Sequence, residues 1–576
     1  MRREDFASQH AKEVRNLGGS TSNPYRTHTA GELRAENVGE RVRLAGWVNR
    51  RRDHGGLIFV DLRDRWGVTQ VTFHPETADM FATAEELRPE WNVSVEGEVV
   101  KRPAGNENPE LPTGEIEVSA TALEVLNPSK TPPFEIDRER PVDELLRMKY
   151  RYLNLRRPRM RENIIFRHRV VKRMRDYLAA RDFVEIETPL LTASTPEGAR
   201  DYLVPARLYP GQFYALPQSP QQFKQLLMVA GFERYFQVAR ALRDEDQRGD
   251  RQPEHTQLDI EMSYTTQDEI LALVEGLYVE IVEDLTEKKI LQKPFPRLTY
   301  KEVMERFGTD KPDLRFGLEL ADVSEVARGS DFKVFRGAVE SGGSVRGIRV
   351  GGLGDLSRRE LDDLIAVAST GGARGLAHLK VSEEGLAGPI AKFFSAEEGN
   401  ALKEALGAKE GDYMFFVADK DAVVFDSLNR LRLHFRDRLG LADPDELALC
   451  WITDFPLFEW NEDEERIEPM HHMFTMPREE DLELLDTAPL KVTGRLYDLV
   501  ANGTELASGS IRIHHPELQQ KVFSLVGIPP EEAKRRFGAM LEAFRYGAPP
   551  HGGIAPGVDR LIMVLRDEPN IREVMA

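Results

Sequence analysis

"HGGIAPGVDR" (residues 551–560) sets the reading of this chain. Gly553, Ala555 and Gly557 place little or no side chain at every second position, the spacing that clears one face of a strand. An Asp-Arg pair follows at once. A flat ligand can lie on such a platform with Arg560 capping it. Tight strand-to-helix packing would call for the same small residues.

Working outward, the chemistry-bearing residues are concentrated elsewhere too. "STPEGARDY" (194–202), "LPQSPQQFKQ" (216–225), "LRDEDQRGDRQPEHTQLDIE" (242–261), "MHHMF" (470–474) and "DLVANGTELASGSIRIH" (498–514) mix glycines, paired charges and amides. Any one alone reads as a capped turn or a surface ion pair. Together with the decamer they make six, which points to one shared site. Arg243 and Arg560 offer planar donor forks suited to phosphate or carboxylate. Asp498, Glu505 and Glu261 are carboxylates beside apolar runs, where an uncompensated charge is costly. Magnesium bridging phosphates would compensate them. No GxxxxGK[ST] loop exists in the chain, nor any Gly-Lys pair, nor an HExxH helix. A nucleotide bound here is therefore held by other means than a P-loop.

The chain has 576 residues, enough for three or four domains. No apolar run reaches the roughly 18 residues of a membrane span, and no signal peptide is visible. Cys450 is the single cysteine, which excludes internal disulfides and CxxC metal sites and favours a reducing cytoplasm. Net charge is −19, a mild argument against nucleic acid, but residues 147–175 carry twelve Lys or Arg against one acid. Arg50, Arg51 and Arg52 form a second basic cluster. Such runs are either solvated helix faces or local patches for an anionic partner.

Residues 1–25 lack periodicity and read as a disordered arm. "RVRLAGWV", "LIFVDLRD", "GVTQVTFH", "WNVSVEGEVV" and "GEIEVSA" then predict five short strands within 26–128, a small barrel of the oligonucleotide-binding kind. In the second, Ile58, Val60 and Leu62 share one face, which leaves Phe59 with Asp61 and Arg63 on the other. An aromatic among charges suits base stacking. It equally suits cover by a loop. "NPSKTPPFEI" opens a linker, taken as 129–145. Val170, Val171, Met174, Tyr177 and Leu178 recur at helical spacing, with the helix stopping near Arg181-Asp182 and "FVEIETP" forming a strand up to Pro189. Residues 300–430 are glycine-rich, with short helical and strand patterns and no obvious chemistry.

With these residues assembled, the sequence resembles the class II aminoacyl-tRNA synthetases, and among them the bacterial-type aspartyl enzymes, over roughly residues 25 to 576. The basic helix and "FVEIETP" resemble motif 1, "LRDED…RQPEHTQLD" motif 2 with Arg243 and Glu245, and "GGIAPGVDR" motif 3. "TPEGARDY", "QSPQQFKQ" and "SGSIRIH" add the aspartyl character. The resemblance implies an α+β multidomain chain: an N-terminal OB-fold barrel gripping the anticodon, and an antiparallel catalytic sheet split into 146–294 and 426–576. An inserted α+β domain would occupy 295–425. It implies a homodimer joined through motif 1, with ATP, L-aspartate and tRNA(Asp) as substrates and Mg²⁺ as cofactor.

The same resemblance assigns roles. Arg243 would meet the ATP α-phosphate and the aspartyl carboxylate. Asp244, Glu245, Gln252, Glu505, Gly557, Val558, Asp559 and Arg560 would hold the nucleotide. Asp498, Glu505 and Glu261 would carry magnesium. Arg512 and Lys224 would bind the side-chain carboxylate of aspartate, with Glu197, Ser219, Gln221, Gln222, Phe223, Asp259 and His471 around the rest of it. In the barrel, Phe59, Gln70 and Arg51 would face the anticodon.

Three departures from the family pattern stand out. His255 takes the place of a Phe that stacks on adenine, so ATP affinity is expected to respond to pH. Leu242 stands where an aromatic is commoner. The sequence ends at "IREVMA", where relatives usually continue. His54, in "RRDHGGLIF", resembles relaxed members that also charge tRNA(Asn). A non-catalytic RNA-binding paralogue is the remaining alternative. It predicts losses among the charged site residues, yet Arg243, Glu245, Asp498, Glu505, Arg512 and Arg560 are all present.

Overall fold

The computed structural model describes residues 23–194 and 198–576. The chain divides into two compact units, with the break between Arg161 and Glu162.

The first unit is built on a closed barrel of Arg41–His54, Leu57–Arg63, Val68–Phe73, Asn92–Lys101 and Ile116–Asn127. The third and fifth strands pair in parallel and the other neighbours are antiparallel. Period-two alternation sets its core: Ile58, Val60 and Leu62 are buried with Val71, Phe73, Val93 and Val95. Arg63, on the opposite face, is nevertheless buried, because it meets the Glu90 carboxylate through two bonds of 2.8 Å. The linker packs here as well, and so does the start of the basic run. Arg156 lies over the Trp47 ring at 4.7 Å and bonds Glu90 at 3.1 Å, while Arg157 donates to the carbonyls of Arg138 and Arg140. The compact unit around the barrel thus runs to Arg161, past the linker expected at 129–145.

The second unit holds an eight-stranded sheet in the order Arg297–Thr299, Leu449–Thr453, Leu496–Ala501, Thr504–Ile511, His551–Pro556, Glu254–Ser263, Arg234–Leu242, Val184–Glu185. Its interior pairs are antiparallel, and each edge adds one parallel pair. Helix Pro158–Ala179 buries Val170, Met174, Tyr177 and Leu178 in the same core as Leu258, Ile260 and Ile554 of the sheet. The helix Gln267–Leu285 packs there too. Thr266 starts it with a capping box, accepting from Glu269 N while the Glu269 carboxylate accepts from Thr266 N. The strand expected to run to Pro189 is only Val184–Glu185: it is an edge strand, and proline has no N–H to extend a ladder.

The basic run is largely consumed within the molecule. Arg167 pairs with Asp559, Arg173 with Asp284, and Arg175 with Glu185 at 2.9 Å.

The insertion has its own antiparallel sheet, ordered Ala321–Asp322, Ser344–Val350, Tyr413–Asp419, Ala377–Ser382, Gly385–Ala387. Phe415 and Val417 face one core and Met414 and Phe416 another, so this strand is buried on both faces and reads as continuously apolar. Its limits differ from 295–425. Arg297–Thr299 belongs to the eight-stranded sheet, and helix Asp421–Leu439 buries Val424, Leu428, Leu431 and Phe435 on the insertion.

Candidate active site

The neighbouring strands Thr504–Ile511, His551–Pro556 and Glu254–Ser263 border a cavity of about 490 Å³. Five of the six polar stretches meet in it, supplying Ser219, Gln221, Lys224, Arg243, Glu245, Gln252, His255, Asp259, His471, Glu505, Arg512, Gly557, Asp559 and Arg560. Helical phase explains the second stretch. In Gln221–Val229, Gln221, Lys224, Gln225 and Met228 are buried on one side.

At one end the cations and carboxylates balance. Lys224 Nζ lies 3.0 Å from Asp259 and 3.5 Å from Glu261. Arg512 bonds Glu261 through Nε at 3.0 Å and Nη2 at 3.2 Å, and its Nη1 reaches Ser510 Oγ and His472 Nε2, each at 2.7 Å. All four charged groups are buried. Burial works against the Glu261 charge, but Arg512 and Lys224 outweigh it and hold the carboxyl below its usual range. Burial, reinforced by Arg512, holds His472 well below the imidazole range, so a neutral ring backs the guanidinium.

The other end is set by a hairpin. Asn502 and Gly503, both with positive φ, join Leu496–Ala501 to Thr504–Ile511 in the two-residue turn that suits antiparallel strands. This turn brings Asp498 and Glu505 near each other. Burial, and then the like charge of Glu505, push the Asp498 carboxyl up to about 7. Asp498 Oδ1 is buried with no hydrogen-bond partner, and so is Arg243 Nε. Arg560 meets Asp250 at 3.0 Å and Glu505 at 3.6 Å. His255 bonds Gln257 at 3.1 Å, and His471 Nδ1 lies 3.2 Å from Ser508 Oγ.

Several expected residues sit elsewhere. Glu261 was expected at a metal; instead its carboxylate is taken by Arg512 and Lys224. Gln222 and Phe223 fall on the other side of their helix and do not line the cavity. Asp244 is exposed outside it, and Val558 is core. Asp498 lies buried behind the wall, 3.8 Å from His471. Glu197 lies outside the described residues. The platform reading fails at Gly553: a Cβ there would come within 2.0 Å of Glu261 Oε2 and 2.2 Å of Ile260 O, so its bareness serves the neighbouring strand. Ala555 and Gly557 do line the cavity. Lys311, Asp310, His472, Ser508 and Gln257 line it without having been expected. Lys311 and Asp310 come from the interval that read as chemically empty.

On the barrel, Phe59 is half-buried and pairs in register with Arg52 and Thr72. Gln70 is held by Glu117 at 2.5 Å and by Arg52 at 3.1 Å, and Arg52 also bonds Asp61 at 2.7 Å. Arg51 is half-buried opposite Val60. His54 is exposed at the strand end, followed by Gly55 and Gly56 with positive φ.

Residues 143–576 match the family model described as tRNA synthetases class II (D, K and N), and residues 42–126 the OB-fold nucleic acid binding domain. The chain belongs to the class II aminoacyl-tRNA synthetases. An aspartate–tRNA(Asp/Asn) ligase of Rubrobacter xylanophilus is 80% identical over 97% of this synthetase and 93% of its own length. The enzyme of the same name from Syntrophomonas wolfei is 54% identical over 96% and 94%. Asparaginyl-tRNA synthetase from Pyrococcus horikoshii, solved with asparaginyl-adenylate, shares the fold at a TM-score of 0.59 and 19% identity, covering 95% of this chain and 96% of its own. Entamoeba histolytica aspartyl-tRNA synthetase aligns at 0.57 and 18%, covering 98% and 92%.

Proposed function

We propose that this synthetase is an aspartate–tRNA ligase of relaxed tRNA choice, which activates L-aspartate with ATP and charges both tRNA(Asp) and tRNA(Asn). One observation carries the activation half: Arg243, whose buried Nε has no hydrogen-bond partner, lines one cavity with Glu505, Arg560, Arg512 and Lys224, and Asp498 lies buried beside Glu505. Activation joins two anions, so their repulsion must be offset. Arg243 and Arg560 hold the phosphates. Arg512, steadied by Glu261, Ser510 and His472, receives the side-chain carboxylate together with Lys224. Ser219, Gln221, Asp259 and His471 surround the remainder of the amino acid.

Class II synthetases use a divalent metal, generally Mg²⁺. Among the described residues no group of three or more His, Cys, Asp or Glu side chains forms a ready metal cage. Mg²⁺ arriving with ATP needs only one or two carboxylates besides phosphate oxygens, and Asp498 with Glu505 fits that need. It would supply charge neutralisation at the phosphates.

The relaxed tRNA choice rests on the relatives' printed names and on exposed His54. Aspartylation of purified tRNA(Asp) and tRNA(Asn) tests it: both are expected to be charged, and charging of tRNA(Asp) alone would overturn it. A homodimer is proposed as well. Leu190, Leu191, Leu203, Leu208, Tyr209 and Phe213 stand largely exposed along the hairpin Leu203–Pro205/Phe213–Ala215 and the segment bridged to it, an apolar strip of the kind a second copy covers. No helix among the described residues is long and apolar enough to cross a membrane, and the cytoplasm is the proposed compartment.

A further inference from the structure

We propose that Lys311 is a substrate-contacting residue, whose ammonium binds the β- and γ-phosphates of ATP and then the departing pyrophosphate. The inference rests on reading the cavity as the ATP site. Lys311 lines that cavity with Arg243 and Arg560. Its Nζ lies 3.3 Å from Glu505 Oε2 and 3.4 Å from Asp310 Oδ2. The other Glu505 oxygen faces Arg560 at 3.6 Å. One cavity-lining carboxylate is therefore shared by two cations far apart in the sequence.

The segment that delivers Lys311 is fixed. Lys311 N donates to Thr309 Oγ1 at 3.1 Å. Two residues on, Asp313 is buried and clasped by Arg315 at 2.7 Å and by Arg436 at 3.3 Å, the latter from the helix Asp421–Leu439 that closes the insertion. The Lys311 side chain is about a third exposed, at 37%, and its ammonium can move on its flexible stem. With a metal on Glu505, the lysine loses its anionic partner to a competing cation. The nearest new anion in the cavity is then the phosphate chain. As the aspartate carboxylate attacks the α-phosphorus, the bond from that phosphorus to the α–β bridging oxygen breaks and this oxygen leaves as a terminal, more negative oxygen of pyrophosphate, so a cation beside the β-phosphate gains strength as the bond breaks. A lysine suits this task, being a point charge that follows a moving phosphate.

The test compares ATP with AMP, which lacks both outer phosphates. Binding of each is measured by calorimetry at saturating Mg²⁺ on the full chain, for the native protein, K311M and K311R, with thermal melts to confirm folding. K311M is expected to lose roughly tenfold to a hundredfold in ATP affinity, the range of one charged hydrogen bond, with AMP affinity unchanged and K311R mostly restored. The KM for pyrophosphate should rise while that for aspartate stays put. Equal loss for ATP and AMP, or loss for neither, overturns the proposal. If the native protein bound neither nucleotide, the reading of the cavity would fall with it.

Discussion

Arg243 Nε and Asp498 Oδ1 are buried without hydrogen-bond partners, a costly state for a polar atom unless a ligand completes it. In the proposed function, these are atoms that a bound substrate or its metal would complete. His255 gives a prediction at the same scale. At the adenine-stacking position it was expected to make ATP affinity respond between about pH 5.5 and 8, around the ordinary imidazole pKa. Burial first, and then the charge of Arg243, lower its pKa; Arg560 adds to this, while Gln257 and Asp559 oppose it. The folded state therefore resists protonating a ring that the unfolded chain protonates near pH 6.5. The associated stability is complete above that pH and is lost as pH falls below it. The KM for ATP should be flat from about pH 6.5 to 8 and rise only on the acid side. An inflection near 6.5 that disappears in His255→Phe would contradict the assignment.

The elements show what the sequence could and could not reveal. Alternation in "LIFVDLRD" placed Ile58, Val60 and Leu62 inside the barrel, because a period of two is a local property. Spacing also found the face of Pro158–Ala179. Polar concentrations found most of the cavity, since arginines and carboxylates seldom gather without a shared task. The failures are non-local. Gly553 read as a ligand platform because nothing local reveals that the Glu261 carboxylate on the next strand fills its space. Glu261 read as a metal ligand for want of knowing that Arg512, far along the chain, would bind it. Lys311 carried no signal, because "GTDKPDLR" has the composition of a surface turn. The hairpin at Leu203–Pro205/Phe213–Ala215 carries a further expectation. Sedimentation should report twice the 65.4 kDa chain, and replacing Leu208 and Phe213, 72% and 57% exposed, with Glu should yield folded monomer. A native monomer would refute the dimer.

Across the whole molecule, the net charge of −19 is compatible with an anionic substrate because charge acts locally. The run at 147–175 read equally as a solvated helix face or a patch for an anionic partner; at least five of its arginines meet acids of the same chain. Lys224, Arg243, Lys311, Arg512 and Arg560 line the cavity. Asparaginyl and aspartyl enzymes both share this fold, so under the proposed function the choice of amino acid is assigned to the buried Arg512–Lys224–Glu261–Asp259 network. ATP–pyrophosphate exchange with L-aspartate and with L-asparagine measures that choice directly. Aspartate should support exchange, and asparagine should fall short by a factor that polar mismatches of this type can bring to roughly 10⁴. Exchange driven equally well by asparagine, or by neither amino acid, would contradict the account.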